Sequence, residues 1–211
     1  MKLTVFGASG GIGGHVVSQA LDAGHTVTAV VRDPARFQRR HARLTVVAVP
    51  ALTDPEPLRP ALEGSDAALS GVGPRSRKDA GVAAGATRGI LGALEATGVR
   101  RFVAVSAAPV GPVPDGESWL NRRMYPVIRM FLGDVYADLT TMEEEIRRSA
   151  TEWTVVRPPR LTNRELSGKY RTAIGANVPR GAFVSRADVA HAMLAALDDP
   201  ATVRQALGVA R

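Results

Sequence analysis

Lys2-Leu3-Thr4-Val5-Phe6-Gly7-Ala8-Ser9-Gly10-Gly11-Ile12-Gly13 is the stretch that decides the fold. An apolar, strand-like run enters a turn with glycines three apart, and Val16, Val17, Ala20 and Leu21 continue at helical spacing. Strand, glycine-spaced turn and helix, in that order, make a cradle for a dinucleotide pyrophosphate. Gly7 permits the tight turn, Gly10 brings the backbone close to the phosphates, and Gly13 lets the helix pack on the strand. Ser9, Gly11 and Ile12 complete the turn, where phosphates meet the free N–H groups at the positive end of the helix.

A second strand, Thr26–Val31, ends in Arg32-Asp33-Pro34, about twenty residues past the glycines, where the ribose-reading side chain is expected. A carboxylate at this tip would take the two ribose hydroxyls of NAD and repel a 2′-phosphate. Arg32 instead offers a guanidinium, which grips phosphate bidentately, and Arg36, Arg39 and Arg40 follow within reach. The expected cofactor is therefore NADP (NADPH). Asp33 before Pro34 reads as a helix N-cap with proline at the first helical position.

Length and composition set the outer limits. The 211 residues suit one domain, 1–211, with a full hydrophobic core. With no cysteine there are no disulfides, thiolate nucleophiles or cysteine metal sites. His15, His25, His41 and His191 lack metal-ligand spacing, so no metal site is expected. No signal-like start and no apolar run of membrane-spanning length is present, and a cytoplasmic setting is expected. The net charge of +7 raises the question of nucleic acid. The arginines are scattered rather than striped, and aromatics make up only 5% of the chain, too few for stacking platforms; both argue against nucleic acid.

Short Val-rich runs at 3–6, 26–31, 44–49, 67–69, 102–105 and 154–156 read as parallel strands buried on both faces. Helical stretches at 13–23, 34–41, 55–62, 79–97 and 134–149 lie between them. The fold class is thus α/β, a doubly wound Rossmann fold with a mostly parallel sheet. Ligands then bind at the carboxyl ends of the strands, which carry Gly7, Arg32, Gly71, Ser106 and Arg157. Gly71 and Gly73 after the fourth strand either admit the cofactor closely or form an ordinary turn.

Across essentially its whole length the chain resembles the atypical short-chain dehydrogenase/reductases with a plain NAD(P)-binding domain, a group that includes NmrA-like proteins and flavin and biliverdin reductases. The resemblance rests on residues 7–13, Val31-Arg32-Asp33-Pro34, Ala96-Thr97-Gly98-Val99-Arg100-Arg101-Phe102, Trp153-Thr154-Val155-Val156-Arg157-Pro158-Pro159 and Ser185-Arg186-Ala187-Asp188-Val189-Ala190. It implies a nicotinamide-side loop at Pro158 and a closing helix capped by Asp188. It also places the family's active-site Ser/Thr at Ser106, or at Ala107 if the alignment slips by one; the plainer reading is that Ser106 bonds nearby backbone.

Departures from the family pattern bear on mechanism. Orthodox members pair a tyrosine with a lysine four residues on, which lowers the tyrosine pKa from about 10. Here the slots fall on Tyr136 and Thr140, and threonine supplies no charge. The competing Tyr125-Pro126-Val127-Ile128-Arg129 has a proline inside the helix it would need. Tyr136 reads more readily as a packing or substrate-contact residue than as a general acid. Where flavin and biliverdin reductases carry a histidine after the double proline, this chain has Arg160, suited to an anionic or carbonyl-bearing substrate. The adenine-contacting Asp expected after the third strand is missing from Val49-Pro50-Ala51-Leu52-Thr53-Asp54. Residues 112–133, with Trp119 as a candidate substrate contact, form a lid, a dimer surface or an extra packed helix.

The expected function is NADP-dependent hydride transfer between nicotinamide and a small or aromatic carbonyl, quinone or flavin-like acceptor, with Tyr136 and Ser106 as the catalytic pair. The alternative is an NmrA-like redox sensor that binds NADP without turnover. A small-molecule substrate and a monomer or homodimer complete the expectation.

Overall fold

The computed structural model describes residues 1–74, 79, 81–114, 116–117, 123 and 133–211. Strand β1 (Lys2–Phe6) alternates its side chains between two cores, as a period of two requires. Leu3 and Val5 join one cluster, which also holds Val16, Val17 and Ala20 of α1 (Gly11–Asp22). Phe6 joins the other, with Leu58, with Leu62 of α2 (Arg59–Leu62), and with Ile90 and Leu94 of α3 (Val82–Thr97). Both faces of the sheet are covered, which accounts for the unbroken burial of its central strands.

β2 (Thr26–Val31) pairs with β1, and β3 (Leu44–Ala48) pairs with β2, both parallel. The chain then returns to the other side of β1, where β4 (Ala67–Ser70), β5 (Arg101–Val105) and β6 (Glu152–Arg157) add in turn, all parallel. The strand order thus reverses between β1 and β4, the switch point at which doubly wound sheets bind ligands. α4 (Gly133–Arg148) packs against α3 on one face, while α5 (Arg186–Ala195) packs against α1 on the other. β10 (Gln205–Ala210) joins β6 in parallel and β8 (Arg171–Ile174) joins β10 antiparallel, giving the order β3-β2-β1-β4-β5-β6-β10-β8. β7 (Arg160–Thr162) and β9 (Phe183–Ser185) form a separate parallel pair.

All six expected strands are present, but several other expectations need correction. β3 is an edge strand with all of its residues partly or fully exposed, not buried on both faces. The helix expected over 34–41 is a single 3₁₀ turn, Pro34–Arg36. Only Phe37 of that stretch packs on the core, and Arg36 and Arg40 would repel at helical spacing, so no apolar face sustains a helix. The stretch 55–62 breaks into a 3₁₀ turn, Glu56–Leu58, and the short α2, since Pro57 and Pro60 withhold the N–H groups a continuous helix needs. The fold ends on β10 rather than on a closing helix.

α3 begins at Val82, not Asp79, after Gly81 in a left-handed conformation (φ 90°) that offers no side-chain cap. Its first N–H groups are met from across the core instead. The buried Asp138 of α4 accepts from Ala83 N–H at 3.0 Å and from Ala84 N–H at 2.9 Å. A carboxylate at a helix N-terminus gains from both hydrogen bonds and dipole, and here it also locks α3 to α4.

The seat of α1 is the tightest contact at the switch point. A Cβ on Gly13 would lie 2.2 Å from the Gly7 carbonyl oxygen. Gly13→Ala is expected to lower the unfolding free energy by about 1–3 kcal/mol through forced overpacking, read as a fall of several degrees in Tm. Gly73→Ala has nothing within 4 Å of the added carbon and should melt with the wild type. Equal melting of Gly13→Ala and wild type would mean that the helix seat tolerates a side chain.

Candidate functional site

The strand register lines up the carboxyl ends that carry the site. Phe6 stands opposite Val30 on one side and Ser70 on the other, and Ser70 stands opposite Ala104. The residues just beyond these, Gly7, Arg32, Gly71 and Ser106, therefore share one edge of the sheet. Gly7 turns the chain with φ 69°, a conformation that favours glycine, and its carbonyl accepts from Gly10 N–H at 2.8 Å. The first backbone bond of α1 runs from Gly14 N–H to Gly10 O at 2.8 Å, and no side chain caps the helix. The N–H groups of Gly11, Ile12 and Gly13 therefore precede the ladder and present a row of donors at the positive helix end.

Gly71 owes its lack of a side chain to a neighbour in the fold. A Cβ there would lie 2.9 Å from Gly13 N, so it closes on the helix seat. Gly73 opens onto space. Ser9 and Gly11 are exposed, while Ile12 is buried in the first core. Arg32 is exposed directly after β2 and has no ion pair among the described residues. The N-cap reading of Asp33 holds: its carboxylate accepts from Ala35 N–H at 3.0 Å and also meets Arg36 at 3.2 Å.

At the other side of the switch point, Ser106 N–H donates to Val156 O at 2.8 Å and Ala108 N–H to Pro158 O at 2.9 Å. These bonds hold the ends of β5 and β6 together and bury Pro158. Ser106 Oγ is buried and has no hydrogen-bond partner among the described residues. The plainer reading of this serine as a backbone-bonded turn residue therefore fails. A buried hydroxyl without a partner is costly, which makes Ser106 Oγ a candidate for bonding a ligand.

Tyr136, in the first turn of α4, packs with Val72, Ala107 and Val110 against the second core. Burial raises its pKa above the ordinary tyrosine value, opposite to what a lysine partner would do. The Thr140 hydroxyl donates to Tyr136 O at 2.8 Å and so is turned back on its own helix. Arg160 is exposed in β7, opposite Phe183. Trp119, the alternative pair Tyr125 and Arg129, and most of 112–133 lie outside the described residues.

Two sequence readings are displaced. Arg157, expected among the ligand-facing strand ends, is buried: its Nε donates to Glu143 Oε1 at 2.9 Å and its Nη2 to Oε2 at 2.5 Å. Arg147 also bonds the wholly buried Glu143, so this carboxylate is held between two guanidiniums. Asp188 does not cap α5; Ser185 does, accepting from Asp188 N–H at 2.9 Å. Burial acts to raise the Asp188 pKa, but donors from Ser167, Ser185 and Gly168 outweigh it and hold the carboxyl below its usual range. Sequence reasoning missed Asp138 and Glu143 because an acidic residue on an amphipathic helix reads first as solvated.

A row of uncapped N–H groups at the switch point of a parallel sheet, with an exposed guanidinium at the tip of the next strand, defines a dinucleotide-binding Rossmann protein. The comparisons agree. The family model for NAD(P)H-binding proteins matches residues 7–200, and the chain belongs to that family. It is 30% identical over 213 residues to the uncharacterized sugar epimerase YhfK of Bacillus subtilis, covering 98% of this chain and 92% of that protein. The anaerobilin reductase ChuY of Escherichia coli O157:H7 shares the fold at a TM-score of 0.79 and 20% identity, covering 100% of this chain and 97% of that one. The oxidoreductase ylbE of Lactococcus lactis does so at 0.79 and 17%, covering 100% and 91%. Among the described residues no helix is long and apolar enough to cross a membrane.

The buried ion pair gives a stability test. Glu143→Gln leaves Arg157 charged and unpaired in the core and is expected to cost about 3–5 kcal/mol. A Glu143→Leu/Arg157→Met double variant should recover much of that loss in a denaturant titration. If the single variant unfolds with the wild type, the pair does not hold α4 to β6.

Proposed function

We propose that the protein is an NADP-dependent oxidoreductase that moves hydride between nicotinamide and a small or aromatic carbonyl, quinone or flavin-like acceptor. One observation carries the cofactor assignment: Arg32 stands exposed at the β2 tip with no ion pair among the described residues, at the same end of the sheet as the uncapped N-terminus of α1. The N–H groups of Gly11, Ile12 and Gly13 would hold the diphosphate, and Arg32 the 2′-phosphate. When bound, the nicotinamide ring supplies the hydride chemistry.

At the substrate end, the unpartnered Ser106 Oγ is free to bond a substrate oxygen. The half-buried Tyr136, its pKa raised, keeps its proton at neutral pH and donates only weakly. Arg160, exposed at the start of the strand after Pro158 and Pro159, draws anionic or carbonyl-bearing substrates by charge. Proton delivery then falls to solvent or, with modest effect, to Tyr136. The name of ChuY, an anaerobilin reductase, supports a reductase reading over the alternatives. That of YhfK points to sugar epimerisation, which needs an ionised base at neutral pH, whereas burial keeps Tyr136 protonated.

The second reading, a sensor that binds NADP without turnover, is favoured by Thr140, which leaves Tyr136 without a charge to activate it. Screening NADPH oxidation over a panel of carbonyls, quinones and flavins separates the two. Turnover on one class supports the enzyme; tight binding with none across the panel supports the sensor.

Arg32→Asp is expected to weaken NADPH binding strongly and NADH binding little, since each lost charge-assisted bond is worth about 1.5–3 kcal/mol. Equal losses for both would make Arg32 structural. Tyr136→Phe should lower kcat at the small end of the general-acid range, roughly tenfold. Arg160→Ala should raise KM with kcat little changed, because it removes binding felt alike in ground and transition states. Unchanged kcat in Tyr136→Phe would leave solvent as the proton source.

A further inference from the structure

Gly11 opens the row of free N–H groups on α1, and something already lies across it. A Cβ built on Gly11 would stand 2.7 Å from Cδ and 2.9 Å from Nε of Arg186, with Cζ at 4.0 Å. The stem of Arg186 thus runs over the backbone of the cradle, and its Nη1 donates to Asn163 Oδ1 at 2.5 Å. Asn163 follows β7 and is exposed, so the guanidinium is oriented by a neutral amide at the site's rim. No carboxylate pairs with Arg186 among the described residues. Asp188, two residues on, bonds Ser167, Gly168 and Ser185 instead.

The position is electrostatically unfavourable by itself. Arg186 opens α5, where the helix dipole disfavours a cation, and its reach sets a second positive group beside the positive end of α1. Two positive features facing each other without an anion repel, and a diphosphate between them would relieve both. α5 is fixed in this place by Gln19 of α1, whose Nε2 donates to Ala187 O at 2.9 Å, so the approach of Arg186 is built into the α1–α5 packing.

We infer that Arg186 is a diphosphate-binding residue of the dinucleotide site, closing over the α1 donors from the opposite side and held in place by Asn163. The inference rests on reading the cradle as the cofactor site. It gives the two cations different duties: Arg186 binds a group that NADH and NADPH share, and Arg32 the 2′-phosphate that distinguishes them.

Equilibrium titration of the full chain with NADPH, NADH and 2′-AMP tests this without any turnover. Arg186→Ala should raise Kd for NADPH and NADH by the same factor, about ten- to hundredfold, and leave 2′-AMP binding unchanged. Arg186→Lys should recover part of the loss, as it keeps the charge but not the bidentate fork. Thermal melting of each variant establishes that it is folded. Wild-type affinity of Arg186→Ala for both dinucleotides would overturn the inference, as would a loss confined to NADPH and 2′-AMP. If the wild-type protein bound neither dinucleotide, the cradle reading itself would fail, an outcome distinct from any effect of Arg186.

Discussion

Three backbones meet at the switch point of the sheet with no side chain between them. Gly13 of α1 lies on the Gly7 carbonyl, Gly71 closes on Gly13 N, and a Cβ on Gly7 would stand 3.0 Å from the Gly71 carbonyl carbon. A Cβ on any one of the three would strike the backbone of another. The mutual contact fixes where α1 starts relative to β1 and β4, and so fixes where Gly11, Ile12 and Gly13 point their free N–H groups. The remaining site residues are placed against that seat, Arg32 and Ser106 through the strand register and Arg186 through the packing of α5 on α1.

The basic character of the chain looks different once its arginines are located. Arg101 is buried and donates to Glu152 O, Thr154 Oγ1, Ala196 O and Thr202 Oγ1, joining β5, β6 and the end of α5. Arg157 is buried on Glu143, tying β6 to α4. Such arginines serve as multidentate fasteners inside the fold, a use that suits the planar five-donor guanidinium better than a lysine. Arg32 and Arg186 contrast with them: neither meets a carboxylate among the described residues, and Arg186 lies across the first of the α1 donors while Arg32 stands at the same end of the sheet.

The centre of the fold was legible in the sequence because its signals are local. Residues 2–13 carry strand, turn and helix in one run, and the Val-rich stretches announce strands at nearly their observed bounds. What escaped depends on contacts far apart in the chain. Gln205–Ala210 reads as an Ala- and Gly-containing tail, and becomes a strand only by pairing with β6 and β8. Arg157 reads as a ligand-facing residue until Glu143, fourteen positions earlier, is seen to take it. Ser106 was identified by its place at the strand end, but its unpartnered hydroxyl is a property of the packed structure alone.

The central claim is that the free N–H groups at the start of α1 bind the diphosphate of a nicotinamide dinucleotide. Amide chemical-shift titration of ¹⁵N-labelled protein with NADPH reads those groups directly. The account predicts that the Gly11, Ile12 and Gly13 amides shift early and strongly, together with Arg32 and Arg186. Saturable NADPH binding that leaves these amides in place and moves a different surface would contradict it.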